Sequence, residues 1–110
     1  MTPLSAYLCY CSCPDTEVAT RIAETLVGER LAACVSVMPG MRSVYRWDGS
    51  LQRADEVLLL IKTSAARLPA LTARVGDLHP YELPELLAVE VAAGLPAYLS
   101  WLEAETAKDA

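Results

Sequence analysis

The sequence predicts an α+β fold in which two helices cover one face of an antiparallel sheet. Three observations lead to this prediction: two β-rich runs meet at Asp48-Gly49, two stretches carry apolar residues at helical spacing, and further strand-like runs lie near both ends of the chain. The resulting order is β-α-β-β-α-β with an added C-terminal helix. This is the split βαβ, or ferredoxin-like, arrangement, and the 110 residues predict one domain over residues 1–110.

The first strand and the first helix are predicted before residue 29. Leu4–Cys13 reads as a strand, and Asp15 is a good N-cap for the helix that follows. Gly28 weakens the end of this helix. The apolar stripe of the helix consists of Val18, Ala19, Ile22, Ala23, Leu26 and Val27.

A long hairpin is predicted over Ala33–Thr63, with its turn at Asp48-Gly49. If fully extended, the arm Ala33–Trp47 would measure roughly 50 Å, whereas a domain of this size is only about 35 Å across. Pro39-Gly40 predicts a kink or bulge within that arm. We therefore expect the hairpin to protrude and other copies of the chain to cover its edges.

The returning strand of the hairpin contains the uninterrupted apolar run Val57–Ile61. Such a run indicates that both faces of the strand are buried. The helices of the predicted fold cover only one face, so the other face needs a second cover. This observation independently predicts a homo-oligomer.

The second half of the chain supplies the remaining elements. Ser64 is the expected cap of the second helix, although Pro69 lies inside its pattern. Two prolines stiffen the loop His79–Glu85, and Leu86–Val91 is the last strand. A short helix opens at Gly94-Leu95-Pro96, and residues 104–110 are expected to fray. One face of the second helix carries Leu68, Leu71, Val75 and Leu78.

Composition and charge exclude several classes of protein. The net charge is −5 and no basic cluster is present, which argues against a nucleic-acid partner bound through phosphates. Apolar runs are too short to span a membrane, and the N-terminus has no secretory pattern. We therefore expect a cytoplasmic protein with reduced thiols and no membrane partner.

Cys9, Cys11 and Cys13 form a Cys-x-Cys-x-Cys run within the first strand. Their thiols share one face at a spacing of about 7 Å. Soft metals such as Cu(I) favour thiolates, but this spacing suits a single ion poorly. The interpretation is core packing, since free cysteine is a small and frequently buried side chain.

His79 is the single histidine of the chain and lies near Glu82 and Glu85. Imidazole with a carboxylate can bind a divalent metal or act in acid–base catalysis. The alternative is an exposed loop histidine that hydrogen-bonds to the backbone.

Three further residues are candidates for binding. Lys62 ends the apolar strand, where it can meet a small anion or pair with Glu82; the alternative is a strand-end charge in water. Tyr45 and Trp47 flank the hairpin turn and are interpreted as interface or lid residues.

Four motifs follow one another along the chain: Arg30–Cys34, Tyr45–Gly49, Ile61–Thr63 and His79–Leu86. This series resembles the CutA family, the divalent-cation tolerance proteins, and the resemblance runs from about residue 7 to residue 102. The resemblance implies a ferredoxin-like subunit, a homotrimer built through the long hairpin, and an architecture similar to that of the PII signalling proteins. It also implies copper or another divalent metal ion as a ligand, which folding does not require.

The resemblance also assigns residues. Cys11 and His79 match the proposed metal ligands of the family, whereas Cys9 and Cys13 are not general features of it. Gly28 departs from the family pattern, because a helix former usually stands there. The family's recurrent residues around the cleft between subunits match Trp47, Lys62, Tyr81, Glu82 and Glu85.

Two classes compete: a trimeric binding module, and a small ferredoxin-like enzyme such as an acylphosphatase-type hydrolase using His79 and Glu82. The turn Cys13–Thr16 contains an Asp that would repel phosphate, and it lacks the Met-x-Cys-x-x-Cys of a metallochaperone. We therefore favour the binding module over an enzyme.

The ligand site is predicted to be shared between subunits. In this topology Lys62 and the loop His79–Glu85 lie at opposite ends of one subunit, so a neighbouring copy is expected to bring Tyr45 and Trp47 to the site. Lys62 or Glu82 then supplies the charge for a metal ion or small anion.

Overall fold

The computed structural model describes residues 5–107, and over this range it contains a four-stranded antiparallel sheet and three helices. The elements in chain order are β1 (Ala6–Cys13), α1 (Thr16–Gly28), β2 (Cys34–Trp47), β3 (Ser50–Ser64), α2 (Leu68–Leu78), β4 (Leu87–Glu90) and α3 (Pro96–Glu105). The strands lie side by side in the order β2-β3-β1-β4. The predicted α+β, ferredoxin-like fold class is confirmed.

The core lies between the sheet and helices α1 and α2. Side chains alternate along each strand, and every second residue of β1 and β3 packs against these helices. The helices contribute the buried residues Ala19, Ile22, Leu26, Leu71 and Val75. The strands contribute Cys9, Cys11, Cys13, Val57, Leu59 and Ile61. The three cysteines of β1 are fully buried, so the prediction that they pack in the core is confirmed.

The opposite side of the sheet is largely uncovered within one chain. We call it the open face, and it consists of Leu8, Tyr10, Met38, Leu58, Leu60, Leu87 and Val89. Helix α3 covers only one end of this side of the sheet, where Leu99 and Leu102 pack against Ala6 and Ala33. Leu58 and Leu60 remain half-buried. The run in β3 is therefore fully buried on its helix side alone.

The hairpin formed by β2 and β3 protrudes from the rest of the molecule. Its turn has φ angles of 50° at Asp48 and 77° at Gly49, a left-handed pair that this dipeptide favours. The pairing register shifts between Met38 and Met41, and Gly40 between them has a φ of 87°. The chain extends 50 × 25 × 22 Å. The predicted turn, bulge and overhang are all confirmed.

The two predicted helix caps have different outcomes. The Val18 N–H donates to Asp15 Oδ1 at 2.8 Å, so Asp15 caps α1 as predicted. The prediction that Ser64 caps α2 is wrong, because Ser64 is still paired within the sheet as the last residue of β3. The cap position is Arg67. Pro69 consequently lies in the first turn of α2, where a missing N–H does not matter.

The C-terminal prediction is also corrected. Residues 104–106 do not fray, since α3 continues to Glu105 and Thr106 is only 2% exposed. The Thr106 hydroxyl lies 3.0 Å from Ser64 Oγ and from the Leu102 carbonyl, which fixes the chain there. Leu4 and residues 108–110, which belong to predicted segments, lie outside the described range.

Two smaller differences concern the predicted apolar surfaces. Val27 is 41% exposed at the end of α1 instead of completing the buried stripe. The last strand, β4, is shorter than predicted and its residues are exposed. Within residues 5–107, no helix has both the length and the apolar character needed to cross a bilayer.

Candidate functional site

Three possible metal ligands converge inside the fold. The sulfur atoms of Cys11 and Cys13 and a ring nitrogen of His79 all lie within 4.8 Å of one another, and all three residues are buried. The cysteines share one face of β1, and His79 directly follows the last residue of α2. We call this group the Cys–His cluster. Sulfur and imidazole ligands suit soft and borderline ions such as copper and zinc better than magnesium or calcium.

His79 is held by two hydrogen bonds to the backbone. Its Nε2 lies 2.7 Å from the Ser12 carbonyl, and the Tyr81 N–H donates to its Nδ1 at 3.2 Å. Nε2 therefore carries the proton in this arrangement, while Nδ1 accepts. Ser12 lies beyond Tyr10, where the pairing between β1 and β4 ends. His79 is thus the backbone-bonded histidine of the alternative interpretation, but it is buried rather than exposed.

The three cysteines of β1 differ in their pKa values. Burial raises the pKa of Cys9 to about 11. The pKa of Cys11 is raised above its usual range, first by the hydrogen bond from its thiol to Cys13 and then by burial. The same hydrogen bond lowers the pKa of Cys13. A metal ion that binds Cys11 must therefore displace a proton from it.

A pocket of about 590 Å³, which we call the hairpin pocket, lies between the hairpin and the loop that follows α2. Glu56 lies two residues before Leu58 on β3, so its side chain projects to the same side of the sheet as the open face. The aromatic and acidic residues that line the pocket are Tyr45, Trp47, Tyr81, Glu56, Glu82 and Glu85.

Tyr81 connects the hairpin pocket to the Cys–His cluster. Its hydroxyl donates to Glu56 Oε2 at 2.5 Å, while its backbone N–H bonds to His79. The rings of Tyr81 and His79 lie with their centroids 4.7 Å apart. The pKa of Tyr81 is raised, first by burial and then by the bond to Glu56. A change in the position of His79 would therefore act directly on Tyr81, which forms part of the pocket wall.

The structure brings most of the predicted cleft residues together within a single chain. Tyr45 and Trp47 were expected from a neighbouring copy, but the chain's own hairpin places both at this pocket. The reason is the bulge after Met38, which shifts the alternation of β2 by one residue, so that Tyr45 and Trp47 lie on the same side of the sheet as Glu56. The predicted residues that meet at the hairpin pocket are Tyr45, Trp47, Tyr81, Glu82 and Glu85.

Two predicted residues lie apart from their expected partners. Lys62 is paired with Leu8 near the start of β1, away from the His79 end, and its Nζ donates to Ser36 Oγ at 2.6 Å. Glu82 lines the hairpin pocket and, among residues 5–107, does not belong to the group of ligands around His79.

Sequence reasoning missed two residues of the candidate site, one in the Cys–His cluster and one in the hairpin pocket. Cys13 was set aside because an ideal strand separates alternate side chains too widely. Glu56 was not singled out, although it is an acidic residue directly before the apolar run of β3 and is only 8% exposed. A carboxylate next to a buried strand is the signal that could have identified it.

Comparison with known proteins gives consistent results. A family model described as CutA1 divalent ion tolerance protein matches residues 7–105. The divalent-cation tolerance protein CutA of Thermus thermophilus is 50% identical over 93 residues, which cover 84% of this chain and 90% of that protein. The protein of the same name from Pectobacterium atrosepticum is 43% identical over 99 residues, covering 90% of each.

Solved structures show the same similarity. The crystal structure of CutA1 from Oryza sativa superimposes with a TM-score of 0.94 at 38% identity, covering 99% of this chain and 100% of that chain. The Cut A1 protein from Thermus thermophilus gives a TM-score of 0.90 at 45% identity, covering 93% of this chain and 99% of that chain.

Proposed function

The chain belongs to the CutA1 divalent ion tolerance family, and from this premise we propose that it is a homotrimeric metal-binding protein. Its ligand is copper or another soft or borderline divalent metal ion, and its hairpin pocket receives a small-molecule signal near the boundary between subunits. The observation that carries the metal proposal is the convergence of Cys11, Cys13 and His79.

The Cys–His cluster fits a metal of this class by the chemistry of its donors. Cys11 and Cys13 offer sulfur, and His79 offers one ring nitrogen. A bound ion would supply a strong positive charge to a buried region whose nearby charged groups are the carboxylates of Asp15, Glu56 and Glu85. Binding has two costs: Cys11 must lose its proton, and a ring nitrogen of His79 must leave its backbone partner. We therefore expect weak to moderate affinity.

Copper titration tests the proposed metal site. We expect His79→Ala and Cys11→Ala each to lower copper affinity by about tenfold or more in calorimetry. Cys9→Ala is the matched control, because Cys9 is equally buried on the same face of β1 but lies outside the cluster. Since the ion displaces a proton from Cys11, affinity should rise with pH, by about tenfold per unit for one proton. Equal affinity in all four proteins would leave the cluster with a packing role alone.

The trimer is proposed from the open face and the protruding hairpin. Leu87 and Val89 are 62% and 53% exposed, and they adjoin the half-buried Leu58 and Leu60. Soluble monomers rarely expose an apolar patch of this kind. Copies related by a threefold axis would cover one another's open faces, in an arrangement similar to that of the PII proteins. The Cys–His cluster lies within one chain, so its ligands do not depend on this assembly.

The hairpin pocket is proposed as the small-molecule site on its size and position. Its volume of about 590 Å³ lies within the usual range for ligand pockets. It adjoins the exposed arm of the hairpin, which the proposed trimer would place next to a neighbouring subunit. Tyr81 gives the pocket a direct connection to His79.

A further inference from the structure

The charged side chains around the hairpin pocket are all acidic. Among the described residues that line it, Glu56, Glu82 and Glu85 carry carboxylates and none is a lysine, arginine or histidine. Lys62, the cation expected from the sequence, is engaged with Ser36 away from this pocket. A small anion would therefore meet only negative charge.

The walls of the pocket are aromatic. Tyr45 and Trp47 project from the hairpin and are 45% and 41% exposed, and Tyr81 lines the pocket from the loop after α2. The faces of such rings attract cations, and they do so most effectively where a quaternary or protonated amine replaces water at several rings at once.

Glu56 places a largely buried carboxylate in the pocket wall. Tyr81 bonds to Oε2, and within residues 5–107 this is the one hydrogen bond that the Glu56 side chain makes. No fully buried side-chain oxygen in this range lacks a partner. Oε1 must therefore keep some exposure to solvent, and Glu56 contributes to the lining of the hairpin pocket.

The three carboxylates are too far apart to hold a bare metal ion together. Within the part of the chain that the structure describes, the group compact enough for an ion is the Cys–His cluster, which contains none of them. Dispersed negative charges, aromatic walls and a volume of about 590 Å³ suit a larger cation.

We propose that the hairpin pocket binds an organic ammonium cation, with the ammonium group against Tyr45, Trp47 and Tyr81 and the carboxylates balancing its charge. This inference rests on the proposed ligand pocket and adds the chemical class of the ligand. It is independent of which metal, if any, occupies the Cys–His cluster.

Choline and its uncharged isostere, in which a tert-butyl group replaces the trimethylammonium group, form the test pair. The two have nearly the same shape, so a difference in affinity reports the charge. The chain has two tryptophans, and a Trp101→Phe background leaves Trp47 as the fluorescent reporter in the pocket. We expect choline to bind about tenfold or more tightly than the isostere.

Paired charge variants test the acidic rim. Glu82→Gln with Glu85→Gln should lower choline affinity about tenfold. Glu17→Gln with Glu24→Gln is the matched control, since it removes the same charge from exposed positions on α1 and should leave affinity unchanged. Glu82 and Glu85 are exposed, so neither pair should disturb the fold.

Four results would overturn the inference: equal binding of choline and the isostere, preferential binding of inorganic phosphate, a stronger response to magnesium that depends on Glu82 and Glu85, or no binding of any probe. Subunit count and copper affinity are measured on the same samples. If the protein is a trimer that binds copper but does not bind choline, the inference alone is wrong. If the protein is not a trimer or does not bind copper, the proposed function is wrong, and the choline titration still decides the ligand class of the pocket.

Discussion

Leu60→Asp is expected to convert the proposed trimer into monomers at micromolar concentration. Leu60 is half-buried in the middle of the open face, between β1 and the first half of β2. In the proposed assembly every subunit would bury this side chain against a neighbour. A carboxylate there would be desolvated without a partner, at a cost of several kcal/mol in each of the three copies.

Light scattering after gel filtration measures the outcome directly. The wild type should give three times the subunit mass, and Leu60→Asp should give a single subunit mass. Val27→Asp is the control, since Val27 is an apolar residue that is 41% exposed on α1, away from the open face. A Leu60→Asp protein that remains trimeric would show that the open face is not the interface.

Leu59→Ala, at the neighbouring position of the same strand, is expected to act on stability instead of assembly. Leu59 is 0% exposed and faces α1 and α2 in the centre of the core. Removing its side chain leaves a cavity, which costs about 2–5 kcal/mol of unfolding free energy per chain. The subunit count of the folded protein should not change.

The comparison with an exposed apolar residue away from the proposed interface isolates the effect of burial. Val27 is 41% exposed on α1, and Val27→Ala should change the free energy of unfolding by about 0.5 kcal/mol or less. Denaturant unfolding at fixed protein concentration measures both variants. Similar losses at the two positions would contradict the assignment of Leu59 to the core.

Local signals allowed most of the fold to be predicted. Asp48-Gly49 determines the hairpin turn through its backbone conformation, and Pro39-Gly40 marks the bulge, because each effect is confined to a few adjacent residues. The run Val57–Ile61 indicated a strand with two apolar faces. The start of α2 was misplaced because Ser64 is a good cap in isolation, whereas pairing with β1 keeps it in the sheet.

The candidate site was less predictable because it depends on contacts distant in sequence. Ser12 and His79 are separated by 67 positions, and Glu56 and Tyr81 by 25. Neither pair follows a motif with a fixed spacing. The ideal strand spacing also overestimated the distance between the sulfur atoms of Cys11 and Cys13, which side-chain orientation brings within 4.8 Å.

Native mass spectrometry of the purified protein, before and after incubation with copper, tests the proposed metal-binding trimer most directly. We predict ions of three times the subunit mass that gain the mass of bound copper, and a Cys11→Ala protein that keeps the trimer mass but gains less copper. Ions of a single subunit mass with no added metal would contradict the account.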